Sequence, residues 1–552
     1  MTDLTTTSTT TPPVPAPRTA VLDDAHVGDI RGALGTIKLD DNAPRTGLSA
    51  KLKTLLAIVG PGLIVMVGDN DAGAFGTYTQ AGQNYGTSLL WTLLLLVPVL
   101  YVNQEMVLRL GAVTGVGHAR LILERFGKFW GAFSVIDLFL LNALTIVTEF
   151  IGITLAVGYL GLPKVPSVLL AAAIVAVAAS TGSFRRFERT AILLCAGSLL
   201  LVPIFFLVHP SAGQMAHDFV VPGMPAHSQL SDVMLLIIAI VGTTVAPWQL
   251  FFQQSYVIDK RITPRFMRYE KADLWIGIVI VVIGAAAMMG FCAAAFAGHG
   301  EAGDFTDAGA VAAGLEKHAG KLAGVLFAIA LLDASIIGAS AVSLSTAYAI
   351  GDVLGLKHSL HRGIKGAKGF YAVFAGLILT AAIIVIIPGS PLGLLTEGVQ
   401  TLAGVLLPSA SVFLLLLCND KAVLGPWVNG RAMNVFTSIV VAVLVTLSII
   451  LTAAVLFPDI SSTTILDIMA VCGVAGILAL GYAETRRRHK GWALSGPVDR
   501  TGKGSWRMPP LRELPAPVLS TGRRIGLAAL RTYLLAAMIL VIVRIVQLAV
   551  AH

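Results

Sequence analysis

Charged residues are scarce in this chain: they make up 13% of its 552 positions, against 56% apolar ones. That balance excludes an ordinary soluble domain, because the apolar residues gather into repeated stretches long enough to cross a bilayer. Cysteine is scarce too. The four present (Cys195, Cys292, Cys418 and Cys472) sit in apolar surroundings without CxxC spacing, which excludes a sequence-local zinc site or redox pair and leaves small buried side chains as the reading. No Ser/His/Asp constellation, HExxH or phosphate loop occurs, so a membrane enzyme is disfavoured and neither catalytic residues nor a cofactor are expected. The net charge of +8 does not point to nucleic acid, since the basic residues form short clusters between apolar spans, where they act as topology signals. No cleavable signal peptide is evident: residues 1 to about 45 are polar, with a Thr- and Pro-rich run from Thr5 to Pro17, and read as a disordered tail.

What is present is a succession of apolar segments near 54–81, 87–110, 131–160, 165–181, 189–208, 230–258, 272–297, 322–352, 369–388, 392–418, 433–457, 463–482 and 525–549. Helices satisfy their own backbone hydrogen bonds in lipid, so these predict an all-α polytopic membrane protein in contact with the bilayer. Alternate connections are basic, among them Arg109 to Lys128, Arg185/Arg186/Arg189, Lys260 to Lys271, Lys357 to Lys368 and Arg486 to Lys490, whereas 209–229 and 298–319 carry few Lys or Arg. This asymmetry predicts a cytoplasmic N-terminus. With the Ala- and Gly-rich composition it fits a bacterial inner membrane.

Two spans stand apart. The first carries Gly68-Asp69-Asn70-Asp71-Ala72-Gly73 inside an apolar run, and the sixth carries Gly242-Thr243-Thr244-Val245-Ala246-Pro247-Trp248-Gln249. Proline cannot donate its amide and clashes with the preceding turn. Ionisable groups at that depth are costly and normally mark a function. The two breaks are five spans apart, an odd offset that reverses orientation, so spans 1–5 and 6–10 form a candidate inverted repeat in which broken helices meet at the midplane. Ordinary kinked helices would also carry such Gly and Pro; symmetric placement together with the Asp-Asn-Asp cluster favours a cation site. The expected organisation is a tail over 1–48, a ten-helix core over 49–420, helices 11 and 12 over 421–482, a basic cytoplasmic linker over 483–524, and a transmembrane or interfacial helix over 525–552.

Gly60-Pro61-Gly62, Asp71, Gly73, Gln80-Ala81-Gly82 and Ser88-Leu89-Leu90-Trp91, then Arg109 to Gly115, Asn419-Asp420-Lys421 and Trp427-Val428-Asn429, resemble the NRAMP divalent-metal transporter family over roughly residues 50 to 457. The resemblance implies a LeuT-type 5+5 inverted repeat with broken helices 1 and 6, and divalent-metal cargo. Where manganese and iron carriers have an asparagine and a methionine, this chain has Ala74 and Ala246. A thioether favours transition metals, whereas Mg²⁺ wants six oxygens and keeps several waters. The pattern is similar to the NRAMP-related magnesium transporter branch, whose sixth helix is also like Thr243 to Ser255. The family's proton-coupling pair and histidine correspond to Ile146 with Glu149, and to Trp248. Tryptophan does not titrate, so coupling to protons is doubtful.

These considerations predict alternating-access uptake of Mg²⁺, with Mn²⁺ as a second cargo. Asp71 is the foremost candidate ligand. Asp69 and Asn70 serve either as ligands or as hydrogen-bond partners of the unwound backbone, Thr243 offers its backbone carbonyl to the metal beside Ala246 at the sixth-helix break, Gln249 faces the site or holds the break together, and Gln400 binds a water of the hydrated ion or bridges helices. Glu149 is a vestige of a proton path or the buried partner of a basic residue, Asp333 is isolated, and His118 and the other loop histidines read as solvated. The rival readings are a proton-coupled Mn²⁺/Fe²⁺ importer and a Na⁺-coupled organic-solute symporter, whose carboxylate substrate Asp69 and Asp71 would repel.

Overall fold

A computed structural model describes residues 20–225, 228–388, 392–457, 460–489, 499–517 and 521–551. Apolar runs without alternation fold as helices almost throughout: α1 (Leu48–Ile58), α2 (Pro61–Val67), α3 (Ala72–Tyr85), α4 (Trp91–Thr114), α5 (His118–Phe126), α6 (Lys128–Tyr159), α7 (Lys164–Ser180), α8 (Phe184–Cys195), α9 (Leu201–Val208), α10 (Ala212–Val220), α11 (Leu230–Thr244), α12 (Pro247–Asp259), α13 (Met267–Phe296), α14 (Ala308–Ala319), α15 (Lys321–Leu354), α16 (Lys368–Ile386), α17 (Leu392–Cys418), α18 (Lys421–Leu424), α19 (Arg431–Leu456), α20 (Ser462–His489) and α21 (Thr521–Ala551). Among the described residues, nine helices or continuous helix pairs are long and apolar enough to cross a membrane, and up to eleven if each of two bent pairs is one span. The protein is a multi-pass integral membrane protein.

The contacts obey the expected repeat. The first broken span, α2 and α3, packs on α13, while the sixth, α11 and α12, packs on α4. Because α4 and α13 are the second members of the two halves, these are the same contact made twice, as an inverted repeat requires. The long helices α6 and α15, third members of the halves, pack on each other.

The expectation of a disordered tail over 1–48 is corrected for residues 20 onward. Asp24–His26 form a 3₁₀ turn, and β1 (Ile30–Gly32) and β2 (Gly35–Ile37) form an antiparallel hairpin that packs against α1 and α8. The stretch has no core of its own, and the bundle satisfies its backbone instead. Arg185 and Arg189 donate to the carbonyls of Gly32 and Ala33 at 3.0 Å, Glu188 accepts from the amide of Ala33 at 2.5 Å, and Arg261 donates to the carbonyls of Ala25 and Asp29. The 184–189 arginines therefore do more than set topology. His118 is corrected too: it is 1% exposed and its Nδ1 lies 3.0 Å from Gln254 Oε1.

Within the 483–524 stretch, residues 499–517 lie on the same end of the bundle. Met508 is buried, with its amide donating to the carbonyl of Val113, and the Trp427 indole donates to the carbonyl of Lys503. Helix α21 packs on α17 and α19.

Candidate functional site

The first break begins as a helix with nothing to prolong it. Helix α2 ends at Gly68, the amides of Asp69 and Asn70 reach back only three residues to Met66 and Val67, and Asp71 is extended at φ −78°, ψ −173°. Asp71 then caps α3, its Oδ1 accepting from the amide of Ala74 at 3.0 Å, so the positive end of that helix faces its carboxylate. The second break follows from Pro247 at the first position of α12. It leaves Val245 (φ −126°, ψ 68°) and Ala246 (φ −82°, ψ 142°) outside both helices.

Buried polar side chains connect the two. Asp69 is fully buried and its Oδ1 accepts from Gln249 Nε2, while Gln249 Oε1 accepts from Gln104 at 2.9 Å. On the other halves, Tyr78 and Thr244 share a hydrogen bond at 2.7 Å. Asp69 Oδ2 has no partner and is shielded from solvent. Glu149, fully buried on α6, accepts at Oε2 from the amide of Ala72 at 3.2 Å and has no partner at Oε1. It stands beside Asp71 against Gly338 of α15: a methyl added there would meet Glu149 Cδ at 2.7 Å and Asp71 Cβ at 3.0 Å. Only glycine admits both. Buried carboxylates this close repel unless a cation or proton sits with them.

The other candidates divide. Thr243 faces Asp71 across Gly73, whose added Cβ would lie 3.3 Å from Asp71 Oδ1 and 3.9 Å from Thr243 Oγ1. Ala246 is half-buried, and its carbonyl accepts from the amide of Gln249 at 3.2 Å. Asn70 turns elsewhere, donating from Nδ2 to the carbonyl of Val281 on α13 at 3.2 Å. The side chain of Gln400 lies outside the described residues. Glu149 has no basic partner among the described residues, so of its two expected roles the ion pair is absent there. Among them, too, no three His, Cys, Asp or Glu cluster as a ligand set; a cation at the breaks must draw on amides, carbonyls or water as well as carboxylates.

Residues 62–454 match the family described as natural resistance-associated macrophage protein-like, Nramp. The chain belongs to the Nramp family. Among curated relatives, the divalent metal cation transporter MntH of Ralstonia nicotianae is 32% identical over 69% of this chain and 86% of its own, and that of Burkholderia ambifaria is 27% identical over 73% and 89%. A crystal structure of the Eremococcus coleocola manganese transporter superposes with a TM-score of 0.64 at 22% identity, covering 80% of this chain and 96% of that one. These relatives are transporters rather than enzymes, and the Nramp bundle around paired broken helices is the fold this chain adopts.

Reasoning from sequence passed over Gln104 and Tyr78 and left Gln249 undecided. The signal for the two glutamines was there, because amides in apolar spans need partners. Asn103 and Gln104 are adjacent in α4, Gln253 follows Gln249 by one turn in α12, and Asn103, Gln104 and Gln253 all keep amide atoms without partners.

Proposed function

We infer that this Nramp protein moves divalent metal cations across the membrane by alternating access around the two breaks, with Mg²⁺ preferred, Mn²⁺ as a lesser cargo, and no proton symport. The observation that carries the reading is the donor chemistry at the breaks. Asp69 keeps an unpartnered carboxylate oxygen and Asp71 stands at the mouth of α3, while Ala74 and Ala246 bring neither amide nor thioether. Oxygen donors with room for water suit a hard ion that sheds its hydration reluctantly. The unpartnered amide atoms on α4 and α12, helices that pack together, are suited to hold that water.

Trp248, fully buried in place of a titratable ring, leaves no histidine after the sixth-helix proline. Nor does entry need protons, since the membrane potential drives a cation inward by about 2.3 kcal/mol per charge per 100 mV. Residues 49–420 are the transport core, with the N-terminus on the cytoplasmic side of a bacterial inner membrane.

One observation favours a second reading, proton-coupled Mn²⁺ import: Glu149 adjoins Asp71 and can take a proton when the metal leaves. Uptake of Mg²⁺, Mn²⁺ and Ca²⁺ in competition, in proteoliposomes holding a pH-sensitive dye, separates the two. Mg²⁺ uptake without lumenal acidification is expected, and metal-driven acidification would reverse the assignment. Asp71→Ala is expected to lose more than the roughly 10–100-fold typical of an outer-shell change.

A further inference from the structure

Residues 20–47 precede the stretch that matches the family, yet they are fastened to the bend that leads into the first break. Helices α1 and α2 meet at 53° across Val59 and Gly60, where Gly60 takes φ 156°, a value open to glycine. In an unbroken helix the amides of Gly62 and Leu63 would serve the carbonyls of Ile58 and Val59. Here both amides go to Asp273 of α13, and the two carbonyls take Lys260 Nζ from the end of α12 instead, at 2.6 and 2.8 Å. Lys260 is held in turn by Glu188 of α8 at 2.7 Å, and the other oxygen of Glu188 accepts from the amide of Ala33, at the tip of the hairpin, at 2.5 Å. Lys260, Glu188 and Ala33 are all buried. The fit is close: a methyl added at Gly32 would collide with the carbonyl of Ala57 on α1 and lie 3.3 Å from Lys260 Cε, and one at Gly35 would lie 2.9 Å from Ala57 Cβ.

We propose that residues 20–47 form a strap that locks the α1–α2 limb against α8, α12 and α13, and that this limb swings open to the cytoplasm only when the hairpin lifts. The inference rests on the alternating-access reading, in which the limb has to part from the helices it packs on at that end. The links from Ala33 through Glu188 and Lys260 to the bend join the two events. Withdrawing the Ala33 amide leaves a buried carboxylate oxygen without its donor, and an unmade hydrogen bond at a buried charge is costly. Hairpin and limb are therefore released together rather than in turn. By linkage, whatever favours the inward-open state loosens the strap by the same factor.

The test reads the exposure of α2. Ile64 is 1% exposed and lines one small cavity with Phe187 and Ala191 of α8, Phe252 of α12 and Ile337 of α15, so a thiol at this position is shielded until the limb parts from them. The purified full chain carrying Ile64→Cys is treated in detergent with a polar maleimide, and each cysteine is read separately by mass spectrometry. Cys292, packed against Gly82, and Cys418, beside Met106, are buried and report unfolding. Gly32→Ala drives the hairpin off Ala57, and Ala33→Pro deletes the amide that Glu188 accepts. Each is expected to speed labelling at position 64 by at least about tenfold, the effect of losing one hydrogen bond to a charged group, with Cys292 and Cys418 still protected. Unchanged labelling at position 64 in both variants, or labelling that rises at all three positions together, overturns the proposal. No transport enters this measurement: should the wild type take up no metal while the labelling responds as expected, the alternating-access reading falls and the lock on the limb stands.

Discussion

Two sets of buried charges in this protein answer the cost of burial in opposite ways. At the end of the bundle covered by the N-terminal hairpin, Lys260 is fully buried but donates to Glu188 at 2.7 Å and to the carbonyls of Ile58 and Val59 at 2.6 and 2.8 Å. Asp273 there takes the amides of Gly60, Gly62 and Leu63, and Asp259 takes Tyr348, Ser359 and the amide of Leu360. Glu270, with neither oxygen partnered, is the exception on that face. At the breaks, Asp69 and Glu149 are as deeply buried, yet each keeps an oxygen in reserve. Under the function proposed above, the satisfied charges hold the structure together and the unpartnered oxygens at the breaks are left for the cargo.

The strongest way to break that contrast is to exchange the roles. Lys260→Met strands Glu188, and removing one member of a buried pair costs roughly 3–5 kcal/mol, so a large drop in melting temperature is expected. Asp69→Asn, which keeps an acceptor for Gln249 and removes a charge, is expected to melt at or above the wild-type temperature while metal uptake fails. Should Asp69→Asn destabilise as much as Lys260→Met, the charge at the first break is structural after all.

The satisfied end also makes a pH-dependent claim. His358 lies in the loop after α15, where burial disfavours its charge, but Asp352 at 3.0 Å and the carbonyl of Leu356 more than offset that and raise its pKa to about 9. His358 in turn accepts from His26 at its carbonyl and donates its amide to Asp23, which is paired with Arg362. A raised folded pKa stabilises below the ordinary value of 6.5 and loses that contribution as pH climbs through about 9, an effect of up to roughly 3 kcal/mol. The protection of amides in residues 20–47 against hydrogen exchange, corrected for the base-catalysed intrinsic rate, is therefore expected to fall between pH 7 and 10, and Asp352→Asn to flatten the change. pH-independent protection would place the hold of this segment elsewhere.

Gly338 sharpens the contrast from the site's side. Gly338→Ala would press a methyl on Glu149 and Asp71, and a roughly tenfold loss of uptake is expected with little change in melting temperature. Uptake at the wild-type rate would mean that the two carboxyls have room to separate.

How much of this could be read beforehand follows from where the signals lie. The breaks announce themselves, because Asp69-Asn70-Asp71 and Pro247 violate an apolar helix locally, and the five-span offset needs only counting. The hold on residues 20–47 is invisible in the segment itself: its partners, Arg185, Arg189, Arg261 and Arg362, lie 150 residues or more away and look like topology signals in their own loops. Asn70 shows the same limit at the site. Sequence puts it between two candidate ligands, but in the unwound turn its amide donates to the carbonyl of Val281 on α13, a partner 211 residues away that residue type does not reveal.

The smallest effect expected is on selectivity, and it asks whether the reserved oxygens alone choose the ion. In Ala246→Met with Ala74→Asn, a thioether enters at the half-buried start of α12 and an amide within the first turn of α3. Soft donors favour Mn²⁺ over Mg²⁺, so the ratio of Mn²⁺ to Mg²⁺ uptake should rise by about the few-fold that one added ligand brings when the carboxylates stay in place. Competition uptake reads this directly, with Ca²⁺ as the hard-ion control expected to fall along with Mg²⁺. If the ratio stays put while both rates fall, volume rather than donor chemistry sets the preference. The two alanines would then matter for the water they admit rather than for the ligands they withhold.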